Sequence, residues 1–88
     1  MTQTTVQDNP SPRPSPRFSA YVFVSCYQPR RVREALRQLP GVTKADVLMG
    51  SGEVALVIEE HSFASLQVRL SEVQATPGVK RLSVKLAA

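Results

Sequence analysis

Between Val42 and Glu60 the chain reads VTKADVLMGSGEVALVIEE, two extended runs joined by Gly50-Ser51-Gly52. The second run, Val54-Ala55-Leu56-Val57-Ile58, is apolar without a break. A short apolar stretch bounded by turn residues and rich in β-branched side chains forms a strand rather than a helix. With no polar position on either side, that strand must be covered on both faces. In the first run Val42, Ala45, Val47 and Met49 give a broken alternation, as suits a strand nearer an edge. The glycines flanking Ser51 supply the positive φ angles that a tight hairpin turn requires.

The rest of the chain supplies the cover. Tyr21-Val22-Phe23-Val24-Ser25-Cys26 is a second strand, apolar on both sides. Pro29 then suits the first turn of a helix. Val32, Ala35, Leu36 and Leu39 follow at i, i+3, i+4 and i+7 as one apolar stripe. Pro40-Gly41 stops that helix. After the hairpin, Ser62 is an N-cap, Phe63, Leu66, Leu70 and Val73 form a second stripe, and Thr76-Pro77-Gly78 ends it. Val79 to Leu86 is the last strand. The order β-α-β-β-α-β, with Leu39-Pro40-Gly41-Val42 echoed by Thr76-Pro77-Gly78-Val79, predicts a ferredoxin-like α+β plait. Its antiparallel sheet, ordered 4-1-3-2, carries both helices on one face. Residues 1–18, with Pro10, Pro12, Pro14 and Pro16 alternating with Ser and Arg, are expected to be a disordered tail, and residues 19–88 the folded domain.

Several function classes fall away. No segment reaches the roughly 18 consecutive apolar residues of a membrane span, and the N-terminus lacks the apolar core of a secretory signal. A cytoplasmic setting is expected, and the single cysteine, Cys26, agrees with it. The net charge of +4 gathers on Arg30, Arg31, Arg33 and Arg37, where Glu34 lies within helical reach of Arg30, Arg31 and Arg37. That is a solvated, salt-bridged helix face, and sequence-specific nucleic-acid binding is not expected. His61 has no second His or Cys at ligand spacing, and Cys26 reads as a small buried hydrophobe. No catalytic residue, metal or cofactor is expected.

The sheet face without helices carries the stronger signal. Alternation places Leu82, Val84 and Leu86 toward the helices, together with Ala45, Val47 and Met49, Val22 and Val24, and Val54, Leu56 and Ile58. Tyr21, Phe23, Leu48, Ala55 and Val57 then point outward, rimmed by Lys44, Asp46, Glu59, Ser83 and Lys85. An apolar, aromatic centre inside a charged rim is how protein interfaces are built. A homo-oligomer is expected, a dimer through this face, with higher assembly open.

AYVFVSCYQPRRVREALRQLPGV, the GSGEVALVIE hairpin and HSFASLQVRLSEVQATPGV together resemble the effector-binding domain of Lrp/AsnC-type regulators, over roughly residues 20 to 86. The resemblance implies dimerisation through the sheet and a small effector, often an amino acid, bound between subunits near the hairpin. Met49, Gly50, Ser51, Gly52 and Glu53 are the corresponding ligand-binding residues. One position departs from the family pattern: Ala55 stands where an Asp is common at the start of strand 3, which leaves Glu53 as the nearby carboxylate. The helix-turn-helix that usually precedes this domain is not seen before Tyr21. The expectation is a non-catalytic, oligomeric regulatory domain that binds a small molecule. A NapD-type signal-peptide-binding chaperone and a small dimeric α/β-barrel oxygenase or isomerase share the plait and stand as alternatives.

Overall fold

The computed structural model describes residues 17–87. Six elements follow in order: β1 Phe18–Cys26, α1 Pro29–Leu36, β2 Val42–Leu48, β3 Glu53–Glu60, α2 Phe63–Ala75 and β4 Val79–Leu86. The sheet is antiparallel throughout and ordered β2-β3-β1-β4, so the two apolar strands are central and the two alternating ones are edges. This is the ferredoxin-like plait. Most of the expected tail lies outside the described residues, but Phe18 already belongs to β1, where it pairs with Glu60.

Side-chain parity builds the core. Val24 lies between Val54 and Leu82, and Val22 between Leu56 and Val84, all pointing at the helix layer. Val22, Val24, Val54, Leu56 and Ile58 are buried, and Val32 and Leu36 of α1 and Leu66 and Val73 of α2 close over them. Each such side chain contributes about 1.5–3 kcal/mol by leaving water. The cover is incomplete at one flank: Val84 and Leu86 face the helix side as expected, yet both remain exposed. Their strand is an edge, with a paired neighbour on one side only.

Both helices end where their sequences require. Ser62 caps α2, its Oγ accepting from the Ser65 N–H at 3.0 Å. The first helix is shorter than the apolar stripe suggests, stopping at Leu36 while Leu39 packs on the core from the turn beyond. The residue before a proline is pushed out of the helical region, so Leu39 cannot continue the helix into Pro40. The chain tightens instead, with the Gln38 N–H donating to Ala35 and the Leu39 N–H to Leu36.

The repeated Pro-Gly-Val junction has a structural counterpart. The Gly41 carbonyl accepts from the Glu59 N–H at 2.8 Å, and the Gly78 carbonyl from the Tyr27 N–H at 2.9 Å. Each junction ties the start of an edge strand to the end of its central neighbour. At Gly41, φ is 86°, which favours glycine, and the Glu60 carboxylate fills the space a Cβ would take.

One non-glycine residue adopts the left-handed region. Gln28, at the entry to α1, has φ 52° and ψ 64° and makes no side-chain cap. An L-residue there costs roughly 1–2 kcal/mol, part of which glycine returns as unfolded-chain entropy. Gln28→Gly is therefore expected to raise stability by about 0.5–1 kcal/mol, measured as the urea midpoint at constant slope. A lower midpoint would mean that the Gln28 side chain contributes more than its backbone costs.

Candidate functional site

The helix-free face is laid out by strand register. Across it, Lys44, Val57, Tyr21 and Lys85 form one row, and Asp46, Ala55, Phe23 and Ser83 the next. A third row runs Leu48, Glu53, Ser25 and Arg81. The two central strands thus bring Tyr21, Phe23, Ala55 and Val57 into one apolar block, and the edge strands border it with charged and polar groups. Tyr21 is 50% exposed, while Phe23, Ala55, Val57 and Leu48 are half-buried by their neighbours. Glu59 lies on this face as expected, held at 3.2 Å by Arg17.

The hairpin turn sits at the end of that face. Leu48 opposes Glu53, which places the turn directly beyond the third row. The Gly52 carbonyl accepts from the Cys26 N–H at 3.3 Å, tying the turn to the end of β1. Ser51 Oγ donates to the Leu48 carbonyl at 3.4 Å. Space around Gly50 and Gly52 is open. Met49 departs from expectation: it does not face the helices with Ala45 and Val47 but is 97% exposed. Pairing ends at Leu48, so Met49 belongs to the turn and strand parity no longer governs it. Met49, Gly50, Ser51, Gly52 and Glu53 therefore form a protruding tip, with an apolar side chain in solvent and one carboxylate at its base.

Other candidate groups are accounted for locally. Cys26 is buried, and desolvation pushes its thiol up, partly countered by Lys80 and reinforced by Glu53. His61 is exposed. Among the described residues no cluster of His, Cys, Asp and Glu is placed to hold a metal ion, and no helix is long and apolar enough to cross a membrane. Glu34 pairs with Arg33 at 3.2 Å and Arg37 at 3.3 Å rather than with Arg30 or Arg31. Arg33 also folds across to β2, its Nε donating to the Ala45 carbonyl at 3.0 Å. The arginine run is thus partly neutralised and partly structural.

A concavity that periodicity does not reveal opens where α1 begins. Its volume is about 440 Å³, and Tyr27, Gln28, Arg31, Val32, Ala35 and the Thr76-Pro77-Gly78 turn line it. The sequence holds one hint of it. The echo of Pro40-Gly41 in Pro77-Gly78 implies that the second junction lies against the end of the first strand, where Tyr27 and Gln28 follow.

No protein-family model and no curated protein matches this chain. Solved structures do. A hypothetical protein from Pyrococcus horikoshii matches with a TM-score of 0.73 at 22% identity, over 81% of this chain and 89% of that one. An FFRP protein, of the Lrp/AsnC family, matches at 0.74 and 22% identity, over 81% of this chain and 99% of that one. A transcriptional regulator from Neisseria meningitidis, solved as a complex with L-Met, matches at 0.66 and 18% identity. This chain spans 81% of its own length in that match and about half of the regulator, 49%. At these identities the likeness establishes the fold: the chain carries the βαββαβ plait that these solved structures share.

Proposed function

We propose that this chain is a non-catalytic, oligomeric regulatory domain that binds a small molecule, such as an amino acid, at a subunit interface. The observation that carries the reading is the continuity between the apolar helix-free face and the protruding hairpin. Tyr21, Phe23, Ala55 and Val57 form a centre suited to burial against a second copy, and Leu48 leads from it to the Met49–Glu53 tip. A second copy seated on the face turns the open tip into one wall of an enclosed site. There Met49 supplies an adaptable apolar surface and Glu53 a partner for an ammonium group. The fold shared with a regulator solved with L-Met supports the ligand class. The oxygenase or isomerase alternative needs a polar interior, and the buried side chains among the described residues are apolar.

Thermal denaturation tests the ligand. At about 100 times its dissociation constant a ligand adds about 2.7 kcal/mol to stability. In a domain of this size that raises Tm by on the order of 10 °C, at about 4–8 °C per kcal/mol. The rise is expected with at least one of the twenty amino acids at millimolar concentration and is expected to be lost in Glu53→Gln. A Tm unmoved by all of them removes amino acids as the effector.

A further inference from the structure

We infer that the groove at the start of α1 binds small carboxylates that carry a flat apolar body. Its volume of about 440 Å³ lies in the range of small-molecule sites, roughly 300–1,000 Å³. Much of the lining is apolar: Val32 is buried, and Ala35 and Pro77 join it. Tyr27 at the rim is 65% exposed, and Lys80 Nζ lies over one face of its ring, 4.7 Å from the centroid. A flat ligand would stack on the ring face that Lys80 does not cover.

Charge selects the ligand's sign. Arg31 lines the groove, and no acidic side chain does. Glu34, the one acid of α1, is occupied by Arg33 and Arg37. Arg31 touches only the Gln28 side chain, through Nη1 at a long 3.5 Å, and forms no ion pair among the described residues. Its guanidinium fork remains available for two parallel hydrogen bonds to a carboxylate. With no carboxylate to receive an ammonium group, the groove discriminates against free amino acids, so it is distinct in chemistry as well as place from the hairpin tip.

Amide NMR on the full chain tests this. Titration with 2-naphthoate is expected to shift the resonances of Tyr27, Gln28, Arg31, Val32 and Gly78 in a saturable manner, with those of Gly50 to Glu53 unmoved. Arg31→Gln is expected to weaken the apparent affinity about tenfold, the loss of one charge-assisted pair. Ala35→Leu, at an exposed helix position, is expected to abolish the shifts by filling the groove while leaving the rest of the spectrum native. Inorganic phosphate, 2-naphthylmethylamine and phenylalanine serve as comparators that lack the apolar body, the negative charge and the net charge respectively. No shift at millimolar naphthoate overturns the inference, as do shifts that survive both substitutions or a comparator that binds as well as naphthoate.

Discussion

Val57→Glu is expected to halve the mass of this protein in solution, and Phe23→Glu to do the same. Both side chains sit on the helix-free face of central strands, Val57 opposite Tyr21 and Phe23 opposite Ala55. Truncating a central anchor of an interface costs about 2 kcal/mol or more. A carboxylate forced into its middle costs further, because it loses water without gaining a partner. In an isologous dimer each substitution appears twice across the twofold axis, so the penalty doubles and the two carboxylates approach each other. The folded protomer itself is spared, since the outward face contributes nothing to the buried cluster of Val22, Leu56 and Leu66. Sedimentation equilibrium at micromolar concentration reads the outcome directly.

The proper control lies on the other side of the molecule. Arg33 is unsuitable, because its Nε bonds the Ala45 carbonyl and its loss would disturb β2. Arg30 is exposed on α1 and makes no ion pair among the described residues, so Arg30→Glu is expected to leave the mass unchanged. A wild-type chain that sediments as a monomer refutes the interface. An oligomer indifferent to both face substitutions places the contact elsewhere, with the exposed flank of Val84 and Leu86 next to be tested.

The plait was legible because it rests on local periodicities that agree with one another. Val54 to Ile58 demands a central strand, the helix stripes demand a layer on one side, and the two Pro-Gly-Val junctions set matching halves. Face parity followed from the same alternation, as the pairing of Val24 with Val54 and Leu82 shows. Extrapolation failed at ends. Met49 continues the alternation of β2 in sequence, but its backbone has already left the ladder, and only pairing enforces parity. Leu39 fits the α1 stripe, but the ring of Pro40 excludes it from the helix. Contacts between distant segments left no periodic trace. The groove depends on two loops meeting, Tyr27-Gln28 and Thr76-Pro77-Gly78, and only the repeated Pro-Gly hints that they do. The most enclosed ion pair among the described residues is of this kind as well.

That pair sets the second large expectation, a loss of about 2–3 kcal/mol in Arg69→Met. Arg69 Nε meets Glu60 Oε2 at 2.8 Å, bridging α2 to the end of β3, with side chains only 16% and 11% exposed. Arg69 Nη1 also reaches Glu72 at 2.6 Å, but Glu72 is 43% exposed and contributes little by comparison. The Glu60 carboxylate lies in the space left by the missing Cβ of Gly41. Removing Arg69 leaves this largely shielded carboxylate without its cation, at a cost below that of a fully buried charge because water still reaches it. The loss corresponds to a fall in Tm of about 10–20 °C. Glu60→Leu alone is expected to cost less, because Arg69 keeps Glu72 and can extend toward water. The double variant Arg69→Met with Glu60→Leu is expected to recover most of the stability, since a shielded ion pair replaced by apolar side chains of similar size is often neutral. The asymmetry between the two single variants, read from urea unfolding, is the discriminating measurement. Equal losses in both, with no recovery in the double variant, would show instead that the bridge holds α2 on the sheet through its own geometry.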